Sequence, residues 1–295
     1  MIIDCHTHAY PPEAVERPHE WAMARGETHW AELVAPTDRT SIQGWSDPAT
    51  MLGAMDAAGV DRAVLLGWYW QQAATCQWHN AVMAEWMRFA PDRFLAFASI
   101  YPDSTVLEQL KNAQSLGFCG VGEIHLGVQP WDISSDVWQT LAEWCTAQAW
   151  PINFHVTEAA GHPQAESVAT PLQTFIDIAR KTPELKMILA HWGGGLPFFA
   201  LNPKLKPVLR NVYFDTAASP LLYDMTIFRQ VIQLVGPEHV LYGSDYPLRL
   251  YPREQKLPDM QRFVTAIQHD AQLSPEECKW ILGGNFARLP GGQSC

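Results

Sequence analysis

Charged residues are scarce in this chain, 17% of 295 positions against 47% hydrophobic, a balance that excludes a disordered polymer and implies a large buried core. Positive charge is scarcer still: 20 Lys and Arg stand against 31 Asp and Glu, for a formal net charge of -11. With no run of lysine or arginine, a nucleic-acid partner is not expected, because phosphate contacts need a basic surface. The six cysteines (Cys5, Cys76, Cys119, Cys145, Cys278 and Cys295) include no Cys-x-x-Cys pair, and they read as reduced, mostly buried thiols. The longest apolar stretch, around "AVLLGWYW", is far shorter than the roughly 20 residues of a membrane span. The first strand signal starts at Met1 or Ile2, which leaves no room for a signal peptide. A cytoplasmic protein with no membrane association is the expectation. No Gly-x-Gly-x-x-Gly follows the first strand, so a dinucleotide-binding open sheet has no support.

What the sequence does contain is a regular alternation. Short β-branched or apolar runs, "MIIDC", "RAVLLG", "FLAFASI", "GVGEIHL", "INFHV", "KMILAH", "VYFDT" and "VLYGSD", are separated by stretches with helical periodicity. One such stretch is "DPATMLGAMDAAGV" with Asp47 as a candidate N-cap, and another is "SSDVWQTLAEWCTAQA" from about Ser134. Strand and helix repeated eight times predict a closed parallel (β/α)8 TIM barrel. The expectation is one domain over residues 1–295. Residues 9–46, rich in Pro and Trp and too long for an ordinary connection, are expected to cap the barrel mouth. Thirteen tryptophans are many for this length. Trp68 and Trp70 fall in a probable loop after the second strand, where they are candidates to line a substrate pocket.

In a barrel of this kind the C-terminal strand ends meet at one mouth. His6 and His8 close the first strand and, two residues apart, point to the same side. The fourth strand carries Glu123 and His125, the fifth His155, the sixth His191 and the eighth Asp245. Each is a residue type that can bind a metal, and five strand tips converge on one place.

The segments "DCHTHAY", "NFHV", "LAHWGGG" and "LYGSDYP" resemble the metal-dependent amidohydrolase superfamily, in the branch related to aminocarboxymuconate-semialdehyde decarboxylase. The likeness runs from Ile3 to about Leu289. It implies that His6, His8 and Asp245 bind one metal, with His155 and His191 binding a second or contacting the substrate. The strand "GVGEIHLG" is more similar to the "GEIGLD" strand of TatD-type hydrolases, in which the glutamate helps hold two ions, and this makes Glu123 a sixth candidate ligand. The implied cofactor is a divalent metal, Zn²⁺ with two ions as the first choice. The implied activity is hydrolysis of an ester, lactone or amide, with Asp245 and His191 as catalytic groups; the alternative is single-metal, non-oxidative decarboxylation of an aromatic or unsaturated acid. A small-molecule substrate, a carboxylic acid or lactone, is expected, with His125, Trp68, Trp70 and Arg249 as candidate contacts and Arg249 as a possible carboxylate clamp. A homodimer is the expected assembly, although no particular residue argues for it.

Overall fold

The computed structural model describes residues 1–158 and 168–289. Eight strands occur where the apolar runs predict them: β1 (Ile3–Thr7), β2 (Arg62–Leu66), β3 (Phe94–Phe97), β4 (Val121–Ile124), β5 (Ile152–Phe154), β6 (Met187–Leu189), β7 (Val212–Asp215) and β8 (Val240–Leu241). All paired neighbours are parallel. The ladders form a three-stranded sheet, β1-β2-β3, and a five-stranded sheet, β4 to β8. Single parallel bridges, Ala98 to Val121 and Thr7 to Tyr246, join the two sheets and close the TIM barrel. β8 is shorter than "VLYGSD" suggests, but the chain beyond it still follows β1: Asp245 N–H donates to the His6 carbonyl and His8 N–H to that of Tyr246.

Alternate residues of β2 and β3 divide between two apolar clusters. Ala63, Leu65, Phe94 and Ala96 pack in one, and Val64, Leu66, Leu95 and Phe97 in the other. Burial on both faces is what allows these strands to be continuously apolar.

Before β2 lie α1 (Pro12–Glu16), α2 (Pro18–Arg25), α3 (Thr28–Val34) and α4 (Pro48–Ala58). Asp47 caps α4 as expected, its carboxylate accepting from Thr50 N–H at 2.7 Å. The following connections carry α5 (Ala73–Phe89), α6 (Val106–Ser115), α7 (Asp136–Ala147) and α8 (Leu172–Lys181), and later α9 (Ser219–Leu222), α10 (Ile227–Val235), α11 (Met260–His269) and α12 (Pro275–Lys279). The expected helix between β6 and β7 is replaced by irregular turns over His191–Leu201. Gly193, Gly194 and Gly195 all have positive φ and Pro197 follows, a combination that an α-helix does not tolerate. A β-carbon on Gly193 would stand 2.8 Å from the Phe214 ring, so this tight turn packs directly on β7.

Helices α1 to α3 bury their own aromatic cluster, in which Trp21, Trp30 and Tyr10 meet Trp68, Tyr69 and Trp70 from the loop after β2. His79 of α5 ties this cluster together. Its Nε2–H donates to the Ala9 carbonyl at 2.8 Å, and its Nδ1 accepts from Trp70 Nε1–H at 2.9 Å and Trp68 N–H at 3.3 Å. Two donors on one ring nitrogen require a neutral imidazole. Among the cysteines, Cys5, Cys76, Cys145 and Cys278 are free thiols. Cys119 is disulfide-bonded, which corrects the expectation of reduced thiols at that position; Cys295 lies outside the described residues. Among the described residues no helix is long and apolar enough to cross a membrane.

Candidate metal centre

The six candidate ligands come together as two groups, His6 with His8 and Asp245, and Glu123 with His155 and His191. Within each group the potential ligand atoms lie within 4.8 Å of one another. His6 and His8 approach at 3.3 Å between their Nε2 atoms. Asp245 Oδ1 is 3.3 Å from His8 Nε2 and 3.7 Å from that of His6. Glu123 stands between the groups: Oε1 is 3.6 Å from His6 Nε2 and 3.2 Å from His155 Nδ1, and Oε2 is 3.6 Å from His8 Nε2.

The backs of the rings show why these nitrogens face inward. His6 Nδ1–H donates to Asp215 at 2.9 Å, His191 Nδ1–H to the Ala217 carbonyl at 3.0 Å, and His8 Nδ1–H to the Leu66 carbonyl at 3.4 Å. In each case Nε2 is turned inward, where a bound cation would take the place of a proton, the arrangement by which outer partners orient metal-binding imidazoles. Asp215 itself is fixed by Asn153 and by the main-chain N–H groups of His191 and Ala217. Gly243 lets the turn after β8 close on this site, because a β-carbon there would lie 2.7 Å from that of His6.

The local charge also fits a cation. Burial disfavours a charge on His6, but Asp215, Glu123 and Asp245 outweigh it and raise the imidazole to about 10. Burial acts to raise Glu123, yet His6, His155 and His8 hold it well below the usual carboxylate range. Asp245 is similarly held low, against burial, by His8, His6 and His191. Three buried carboxylates, Asp215, Glu123 and Asp245, therefore share a site whose other groups are imidazoles, and a divalent ion supplies the missing positive charge. His191 and Asp245 sit at φ 56° and 66°, a left-handed conformation that costs a non-glycine residue about 1–3 kcal/mol and that clusters at functional sites.

The candidate substrate contacts fare unequally. Trp68 is beside His8, with ring centroids 5.4 Å apart. His125 stacks on His155 at 5.0 Å, but both its nitrogens are engaged, Nδ1 with Gly127 N–H at 3.1 Å and Nε2 with the Thr157 hydroxyl at 3.4 Å. Trp70 is wholly buried and spends its N–H on His79, which makes it a packing residue. Arg249 donates its guanidinium to the Ser41 and Ile42 carbonyls, so it ties the loop after β8 to the N-terminal segment; this overturns the expectation of a guanidinium free to clamp a substrate. Sequence alone did not single out Asp215, Tyr69 or Asp4, whose carboxylate accepts from the main-chain N–H groups of His6 at 3.1 Å and Ser244 at 2.9 Å. An acid inside an apolar strand, as in "VYFD" and "MIID", was the available signal for the two aspartates, since such a group needs a buried partner.

The amidohydrolase family model matches residues 3–289. The chain belongs to that family. It is similar to 4-sulfomuconolactone hydrolase of Hydrogenophaga intermedia, 26% identical over 72% of this chain and 70% of the relative. It is also similar to 2-amino-3-carboxymuconate-6-semialdehyde decarboxylase of Dictyostelium discoideum, 22% identical over 83% and 77%. Among solved structures, 5-carboxyvanillate decarboxylase from Sphingomonas paucimobilis superposes with a TM-score of 0.73 at 18% identity, over 98% of each chain. The 4-oxalomesaconate hydratase of Rhodopseudomonas palustris gives 0.70 at 21%, over 99% of this amidohydrolase and 96% of the hydratase. This amidohydrolase is an enzyme of its superfamily, with a side-chain cluster suited to a divalent metal.

Proposed function

We propose that this amidohydrolase is a metal-dependent hydrolase that cleaves an ester, lactone or amide bond of a small molecule. The observation that carries the reading is the position of Glu123, whose two oxygens border His6, His8 and His155 at 3.2 to 3.6 Å. One carboxylate touching both ligand groups suits two cations, which four neutral imidazoles could not neutralise. When bound, Zn²⁺ or a similar ion lowers the pKa of coordinated water from 15.7 to about 7 and polarises a carbonyl. In this reading His6, His8 and Asp245 hold one ion, and Glu123, His155 and His191 the other. Asp245 accepts the water proton and returns it to the leaving group. The Ala217 carbonyl holds His191 Nδ1–H at 3.0 Å, which turns Nε2 toward the cluster, and His191 serves as a ligand. Residues 9–46 form a lid within a single folding unit, fastened to the mouth by the His79 hub.

The second reading, single-metal decarboxylation, is favoured by the compactness of the His6, His8 and Asp245 group, which could work alone. The two relatives bear the names of a lactone hydrolase and a decarboxylase, so both chemistries are tested together. The enzyme is purified without chelators, its metal counted by elemental analysis, and a panel of lactones, esters and aromatic acids assayed for acid release and for carbon dioxide. Two ions per chain with acid release is the expected result. One ion, Glu123 outside its coordination sphere and carbon dioxide evolution would establish the decarboxylase instead.

A further inference from the structure

The described residues framing the cluster bring no free lysine or arginine side chain to it; the ionisable group of the lid beside it is the His29 imidazole, 5.7 Å from Tyr69 and 6.1 Å from His125 by ring centroid. Four of the strand-to-helix connections, 67–72, 98–105, 125–135 and 216–226, contain no lysine or arginine at all, and neither do the described residues 155–158 and 168–171 of a fifth. The arginines of the other connections are occupied elsewhere. Arg17 pairs with Glu20 at 3.2 Å on the surface, Arg25 lies over the Trp21 ring, Arg39 donates to the Glu32 carbonyl and Arg210 pairs with Glu184. Arg249 is committed to Ser41 and Ile42. Lys204, Lys206, Arg253 and Lys256 are exposed.

In place of cations, one side of the cluster has aromatic rings. Tyr69 lies 5.0 Å from both His125 and His155 by ring centroid, these two imidazoles are stacked 16° from parallel, and Trp68 and Tyr10 flank His8. The Tyr69 side chain is 1% exposed, and its hydroxyl has no hydrogen-bond partner among the described residues. A buried hydroxyl in that state carries a desolvation cost that an acceptor on a bound ligand would offset.

From these observations we propose that the site takes a substrate with an uncharged planar ring, an aryl ester or aromatic lactone without a free carboxylate, packed against Tyr69, His125 and Trp68 and accepting a hydrogen bond from the Tyr69 hydroxyl. A carboxylate placed away from the metals would be buried without an ion-pair partner and near Glu123 and Asp245, an arrangement with a steep desolvation cost. The inference rests on the hydrolase reading and narrows its substrate class. Binding of benzohydroxamate and of 4-carboxybenzohydroxamate to the zinc-loaded enzyme, measured by calorimetry, tests it without turnover. The uncharged ring should bind at least ten-fold tighter. Equal or tighter binding of the carboxylated ring overturns the proposal, as does failure of both to bind at millimolar concentration. Tyr69→Phe should lower affinity for the acceptor-bearing, non-hydrolysed ligand 4-methoxybenzohydroxamate by three- to ten-fold without lowering the melting temperature of the free enzyme; unchanged affinity removes Tyr69 from the site. If the preference for the uncharged ring holds while phenyl acetate and dihydrocoumarin are not hydrolysed, the hydrolase reading fails and the charge inference stands.

Discussion

His6, His8 and Asp245 are held from behind, whereas Glu123 and His155 are held chiefly by each other. In the first group Asp215 and the Leu66 carbonyl fix both imidazoles, the Asp245 main chain is bonded to His6, and all three residues are buried. In the second, the recorded hydrogen bond of the His155 ring is to Glu123 itself, and that side chain is 17% exposed. A preformed set of donors binds an ion without reorganising; a set facing an opening can adjust to what enters. If the proposed two-ion site holds, ion retention would fall to the first group and substrate admission to the Glu123 and His155 side of the second, since His191 is itself fixed by the Ala217 carbonyl.

Asp245→Asn is the harshest way to break the contrast. It keeps the shape and one coordinating oxygen but removes the base, so kcat on the true substrate should fall by about 10²–10⁴ while most metal is retained. Single-turnover kinetics with elemental analysis reads both quantities. Near-normal kcat would show that Asp245 only binds metal and that the proton travels by another group.

Glu123→Gln should act on the second group and remove chiefly one of two metal equivalents. Loss of neither in titrations with zinc would show that the carboxylate does not stand between two ions. Asp215→Asn touches no proposed ligand position, yet by loosening the His6 ring it should weaken the tighter metal equivalent by about 10–100-fold, measured by competition with a chelator of known affinity. An unchanged affinity would mean that the strand alone orients His6.

The smallest effect concerns the aromatic lid. Burial lowers His79 to about 4 from 6.5, so the folded state binds this proton less readily than the unfolded one. Its contribution to stability is complete above pH 6.5 and is lost as the pH falls through 4. Tryptophan emission from the lid cluster should change reversibly in that window while far-ultraviolet dichroism stays constant, and His79→Gln should suppress most of the change. A titration that is flat in the wild type would show that His79 does not gate the lid.

The strands were legible because parallel strands buried on both faces are spelled as continuous apolar runs, and the six candidate ligands because each sits at or just beyond such a run. What was not legible depends on approach between distant segments. Asp215 is 209 residues from His6, and only the closed barrel makes them neighbours. Arg249 looked free because the carbonyls that receive it are in another connection, 207 and 208 residues away. Trp70 looked like a pocket wall because sequence gives no depth; its N–H partner, His79, is nine residues along on α5. The irregular segment after β6 broke the expected strand–helix alternation, although three glycines and a proline there do not make a helix.

Between β8 and β1 the two sheets meet at one bridge and at the main-chain hydrogen bonds from Cys5 to Tyr242, Asp245 to His6 and His8 to Tyr246, and the ligand groups lie differently with respect to that joint. His6 and His8 belong to the three-stranded side and Asp245 follows the last strand of the five-stranded side, whereas Glu123, His155 and His191 all come from the five-stranded side. An ion gripped by the first group would act as a rivet through the joint between β8 and β1. Because binding to the folded state alone adds its free energy to stability, about 2.7 kcal/mol at a hundred-fold excess over the dissociation constant, stripping that ion should do more than silence the enzyme. The cylinder would part along this joint first, and a protease should find the turn at Gly243 to Tyr246 long before it finds the opposite wall.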